Sequence, residues 1–174
     1  MRETTVKPTA VERFFPEDEI IVSKTDLRGH IAYANQTFLT IADYTEEEVL
    51  GQPHNIIRHP DMPRCVFKVL WDTLNARQEI FAYVKNMAKN GDYYWVFAHV
   101  TPTFDEHNQV VGYHSNRRVP ERHQVELFDG VYRQLLDEER RHTDWRVGME
   151  AAEKMLMDIV ASKGMRYEEF IFSV

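Results

Sequence analysis

The densest chemistry in the sequence lies in one proline-punctuated stretch, His54-Asn55-Ile56-Ile57-Arg58-His59-Pro60-Asp61-Met62-Pro63. Arg58, His59 and Asp61 bring a guanidinium, an imidazole and a carboxylate within four positions, stiffened by two prolines, just ahead of the most apolar helical run. A guanidinium offers a planar fork suited to carboxylates and phosphates. The plainer alternative is a helix-capping Asp61 beside a solvated Arg58. A second cluster follows in Val84-Lys85-Asn86-Met87 and Tyr93-Tyr94-Trp95, which places an amide and aromatics on paired extended segments. Alternate residues of a strand share a face, so Asn86 points inward only in one of two registers. Turned inward it needs a partner, because an unpaired buried amide costs ~1–3 kcal/mol.

Other chemistries find no seat. There is no Gly-x-Gly-x-x-Gly, no phosphate-binding P-loop, no Gly-x-Ser-x-Gly elbow and no His-Glu-x-x-His. His54 and His59 stand five apart beside Pro60, a poor spacing for metal ligands on a helix. Asn35-Gln36-Thr37 matches a glycosylation acceptor but reads as a helix cap. The single cysteine, Cys65, opens an apolar helix and reads as a small buried hydrophobe rather than a nucleophile. The sequence therefore points away from an enzyme.

The elements that must position these residues are legible as patterns. Residues 19–25 and 30–34 flank Asp26-Leu27-Arg28-Gly29 and predict a hairpin. Asn35 caps a short helix carrying Phe38, Leu39, Ile41 and Ala42, and Thr45 with Glu46, Glu47 and Glu48 opens a second, closed by Gly51. Val66, Phe67, Val69, Leu70, Trp71 and Leu74 recur at helical spacing over 64–75. Three longer strands are expected at 79–87, 93–104 and 110–119, the first two joined through Asn90-Gly91. Two strands, short helices and three strands predict an α+β unit with one five-stranded antiparallel sheet and its helices on one face. Residues 1–18 read as a loose arm or short helix, with an apolar knot at Val11, Phe14 and Phe15, that packs onto something larger. From 120 to 174 the chain turns helical and charged, with apolar stripes at 125–136 and 147–160 separated by a charged joint at 137–144 that reads as solvated. The division expected is 1–18, 19–119 and 120–174, the last a pair of amphipathic helices able to cover the sheet or build a homodimer with the arm.

With 174 residues, 43% of them hydrophobic, the chain can bury a core. Its formal charge of −7 argues against a nucleic-acid partner. One cysteine excludes an intrachain disulfide framework. No run approaches the length of a membrane span, and Met1 to Lys7 lack the apolar core of a secretory signal, so a cytoplasmic protein is expected.

The wording of these segments resembles a PAS domain, and more closely the N-terminal PAS domain of bacterial aerotaxis receptors. The resemblance rests on Thr25-Asp26-Leu27, Ala34-Asn35, Tyr44-Thr45, Gly51-Gln52-Pro53-His54-Asn55, Arg58 to Pro63, Trp71 with Thr73-Leu74, Val84-Lys85-Asn86, Lys89 to Asp92 with Tyr94-Trp95-Val96, and Gly112-Tyr113. It implies non-covalently held FAD and the sensing of redox or oxygen status. The family's flavin-linked positions fall here on Asn35, Arg58, His59, Asp61, Phe67, Trp71 and Asn86. Phe67 and Trp71 suit stacking on a flavin ring, Asn86 its alternating donors and acceptors, and Arg58 a pyrophosphate.

Two departures qualify the resemblance. Aerotaxis receptors continue into a membrane anchor and a coiled-coil signalling region, whereas this sequence ends in two short helices, so no membrane transducer is expected. Light-sensing relatives carry a reactive cysteine where this sequence has His54, which argues against thiol-adduct photochemistry. A haem-binding gas sensor and a cofactor-free dimerisation module are the alternatives, and the 64–75 helix holds no histidine for the former.

Overall fold

The computed structural model describes residues 6–174, so the first five residues of the expected arm lie outside the described residues. Strands β1 (Ile21–Thr25), β2 (Ile31–Ala34), β3 (Ile80–Met87), β4 (Tyr93–Phe104) and β5 (Val110–Arg118) form one antiparallel sheet in the order β2-β1-β5-β4-β3. The register pairs Asn86 with Tyr94 and Ala98 with Arg117. One face of the sheet therefore carries Ser23, Val84, Asn86, Tyr94, Ala98, Tyr113, Ser115 and Arg117. Helices α1 (Gln36–Ala42), α2 (Glu46–Val49) and α3 (Arg64–Asn75), with a 3-10 turn over His54–Ile57, belong to the segment between β2 and β3. Their caps are the expected ones: Asn35 accepts from the Phe38 N–H, and Thr45 and Glu48 form a reciprocal capping box.

The opposite face of β3 and β4 carries Phe81, Tyr83, Trp95 and Phe97, and the C-terminal helices cover it. From α4 (Arg122–Arg140), Phe128 stacks on Tyr83 at 4.3 Å and the Tyr132 hydroxyl donates to the Tyr83 carbonyl at 2.6 Å. Helix α5 (Trp145–Ser162) packs on α4 and α3 and buries Gly148, Ala152, Leu156 and Val160. A Cβ at Gly148 would lie 2.5 Å from the Glu139 carbonyl, so the backbones touch there.

Four details of the sequence reading change. Val147, read into the α5 stripe, is half exposed, and Gly148 faces α4 instead because only glycine admits that approach. Helix α4 runs on through Arg140, and Glu139 within the supposedly solvated joint is buried. A third tail helix, α6 (Tyr167–Phe172), follows Gly164 and docks Phe170 and Ile171 into the core; six residues are too few to display a period. The described part of the arm, residues 6–18, packs onto the sheet as expected but holds no helix: Val11 and Arg13 exchange backbone hydrogen bonds with Tyr93, at the start of β4. No helix among the described residues is long and apolar enough to cross a membrane.

Candidate functional site

Between the sheet and α3 lies a cavity of about 390 Å³, inside the range of roughly 300–1,000 Å³ common for small-molecule sites. Phe67, Leu70, Trp71 and Leu74 wall it from α3, spaced so that one helix face serves throughout. Val84, Asn86, Ala98, Val100, Tyr113, Ser115 and Arg117 line it from the sheet. The β1–β2 turn supplies Arg28 and Gly29, and the 3-10 turn supplies His54 and Asn55. Arg28, Pro53 and Asn55 are exposed, which sets the mouth on that side. Gly29 has φ +80° and a Cβ there would meet the Trp71 indole at 3.3 Å, so glycine lets the turn close over the ring.

Of the seven residues singled out in the sequence, the fold brings four to this cavity: Arg58, Phe67, Trp71 and Asn86. Trp71 stands edge-on to Tyr113 at 5.3 Å. The Arg58 guanidinium lies over the Phe67 ring at 4.1 Å and donates to the Met62 carbonyl at 3.3 Å. Burial lowers its pKa, with Arg64 adding to the effect.

The other three sit elsewhere. Asn35 accepts from the Val22 and Phe38 N–H groups, both at 3.0 Å, and donates to the Ile20 carbonyl at 2.8 Å, pinning α1 to β1. His59 is buried, accepts the Asp61 N–H at 3.0 Å and abuts the edge of Tyr93. Asp61 pairs with Lys85 at 3.1 Å. The ionic trio therefore divides: His59 and Asp61 approach to 3.6 Å, while Arg58, next to His59 on extended backbone, turns to the other side.

Sequence reasoning passed over the polar end of the cavity. Arg117, fully buried, donates through Nη2 to Ser23 Oγ at 2.6 Å and His54 Nε2 at 2.7 Å, and Ser23 Oγ lies 2.9 Å from the same nitrogen. His54 must be neutral to accept these bonds, and burial, reinforced by the Arg117 charge, holds its pKa at about 3. Burial lowers Arg117 itself only to about 10, so it stays a cation at neutral pH. The available signal was the parity of β5, where Tyr113, Ser115 and Arg117 alternate and two of three are polar. The lining holds three arginines, Arg28, Arg58 and Arg117, and no carboxylate, in a chain of net charge −7. An aromatic wall, a carboxamide and three cations suit a planar heteroaromatic ligand with anionic groups. The one thiol, Cys65, does not line the cavity and burial raises its pKa to about 12.

A family model described as "PAS fold" matches residues 31–117, half of the chain. The chain belongs to the PAS family. The aerotaxis receptor of Escherichia coli (strain K12) is 40% identical over 119 residues, which cover 68% of this chain and 23% of the receptor. The nitrogen fixation regulatory protein of Klebsiella pneumoniae is 28% identical over 99 residues, 57% of this chain and 20% of that protein. The chain thus spans less than a quarter of these relatives. Among solved PAS-like structures, the light-state Aureochrome1 LOV domain aligns with a TM-score of 0.57 at 18% identity, over 62% of this chain and 86% of that one. A light-oxygen-voltage domain from a flavin-analogue study aligns with a TM-score of 0.56 at 22% identity, over 71% and 87%. These two neighbours establish the PAS/LOV architecture of the fold.

Proposed function

We propose that this chain is a PAS sensor that holds FAD non-covalently and reports redox or oxygen status by rearranging its helices or partners. The observation that carries the reading is the cavity's composition: aromatic α3 side chains, the Asn86 carboxamide and three arginines, with no carboxylate among the described lining residues. Similarity to an aerotaxis receptor, and a structural neighbour solved in flavin-analogue work, support the same ligand class. In this reading Phe67 and Trp71 hold the ring, Asn86 offers its edge donor and acceptor, and Arg58 meets the phosphates near the mouth. His59, Asp61 and Asn35 act from behind, fixing the backbone that aims Arg58 and the β1–α1 junction. Bound FAD would supply reversible electron acceptance.

The unit that senses is 19–119, with 1–18 and 120–174 as the segments that carry the signal, and the assembly is a cytoplasmic homodimer. Two links support that output route. Helix α3 faces the cavity with Trp71 and reaches α5 through Lys68 and Glu153 at 3.0 Å. It reaches α4 through Glu139, whose carboxylate accepts the Cys65 N–H at 2.9 Å. A shift of α3 that differs between ligand states would bias both tail helices.

An absorption spectrum of the protein purified without denaturation tests the reading. The two flavin bands of the near-ultraviolet and blue are expected, and chromatography of the released nucleotide separates FAD from FMN. A Soret band or a colourless protein that takes up no added FAD overturns it.

A further inference from the structure

Three buried side-chain polar atoms lack a hydrogen-bond partner among the described residues: Tyr94 Oη, Ser115 Oγ and Arg117 Nη1. The register places all three side chains on the cavity face of β4 and β5. Arg117 is the most demanding of them. It is 4% exposed, its other terminal nitrogen bonds only to the neutral Ser23 and His54, the Phe38 ring lies 5.6 Å away, and the one titratable group acting on it is the neutral Tyr94 phenol. Isolating a guanidinium from water without a counter-charge costs several kcal/mol. The chain has 28 acidic side chains, yet none of those among the described residues lines this cavity. Arg28 is exposed at the mouth and Arg58 is half-buried, so two cations serve the outer part of a ligand and one is held at depth.

We infer that Arg117 is the counter-charge for negative charge gained by the ring of the bound ligand, with Ser23 and His54 positioning its fork so that Nη1 is left to donate. The inference rests on the flavin reading above. A flavin ring that takes two electrons from a reductant and one proton from solvent keeps one negative charge. The Arg117 N–H group then has the partner it lacks in the protein alone, and the reduced state is held more tightly than the oxidised one. His54, kept neutral, accepts from Nη2 and does not compete for the charge.

The test uses the full chain loaded with FAD, as wild type, R117M, R117Q and R117K. Oxidised FAD affinity is read from flavin fluorescence and the midpoint potential from anaerobic dithionite titration against a reference dye. The neutral variants are titrated at FAD concentrations that saturate the oxidised form, so any loss of oxidised affinity is read apart from the potential. Their preference for the reduced form should fall at least tenfold, which for a two-electron couple lowers the potential by about 30 mV. R117K should restore most of that loss. Neutral variants with bound FAD and an unchanged potential overturn the inference and leave the flavin reading standing. So do neutral variants that fold by circular dichroism yet hold no oxidised FAD, or that both fail to fold, since Arg117 then serves another purpose. A wild-type chain that takes up no FAD overturns both.

Discussion

The Glu139 carboxylate, near the end of α4, caps the first turn of α3 by accepting the Cys65 N–H at 2.9 Å, across 74 positions of sequence. Helix α3 needs it, because Pro63 at the N-cap offers no side-chain acceptor. A carboxylate there also meets the positive end of the helix dipole. Glu139→Ala is expected to destabilise the protein by about 1–3 kcal/mol in urea unfolding, through a lost cap and an orphaned N–H. Glu139→Gln, which keeps an acceptor, should lose less. Equal losses would place the contribution of Glu139 in packing alone.

Trp71→Ala should empty the ligand site while leaving the fold. The indole is only partly buried and meets Gly29 and Tyr113 across the cavity, so the stability cost falls below the roughly 3–5 kcal/mol of a fully buried tryptophan. FAD occupancy should drop at least tenfold, well over 1 kcal/mol, with an unchanged far-ultraviolet spectrum. Full occupancy in the variant would make Trp71 a packing residue.

A chain ending at Pro120 would uncover Phe81, Tyr83, Trp95 and Phe97, which α4 and α6 now cover. An exposed aromatic face of that extent seeks a partner. Light scattering should show the shortened protein self-associating or precipitating. A stable shortened monomer would mean that the tail is dispensable to the sheet.

His54 and His59 are held neutral with pKa values of about 3 and about 4, burial being the leading cause for each. Both stand below the unfolded value near 6.5. As pH falls below that value the unfolded chain takes up protons that the native state refuses, so stability declines with falling pH. The loss should reach roughly 1.4 kcal/mol per pH unit for each histidine. Lowered carboxylates such as Asp61 add a loss of the same sign only nearer pH 4. Urea unfolding between pH 6.5 and 5 isolates the histidines, and His54→Gln should flatten the slope by about half. An unchanged slope in that variant would mean His54 titrates normally.

Cys65 is buried with its thiol pKa raised to about 12, chiefly by burial and then by Glu139. A thiol reagent at neutral pH should label the unfolded protein within minutes and the native one orders of magnitude more slowly. Rapid native labelling would show that the α3–α4 junction opens readily.

Local patterns carried the scaffold. The β-branched runs, the Asn90-Gly91 turn and the helical spacing from Val66 to Leu74 are short-range signals, and the strands and α3 appear where those signals lie. The site was legible in part. Phe67 and Trp71 share a helix face by spacing, whereas Asn86 depended on a register that only the paired strands supply. Arg117 was opaque because its meaning comes from Ser23 on β1 and from His54, partners 94 and 63 positions away. Glu139 was hidden for a like reason: inside a charge run, one buried carboxylate looks like its solvated neighbours.

The docking of the N-terminal arm has a consequence for the order of assembly. A Cβ at Gly91 would sit 2.3 Å from the Lys7 carbonyl, and Thr9 donates its N–H to the Gly91 carbonyl. The arm therefore has no seat until the β3–β4 hairpin has closed, more than 80 residues later in the chain, and Arg122 of α4 holds it there through Glu12 at 2.9 Å. Held by three backbone hydrogen bonds, the arm can open without opening the sheet, and hydrogen exchange at Thr9 and Arg13 should outpace that of the central strands. Gly91 thus acts as a latch seat: any side chain there would strain the turn and evict the arm together.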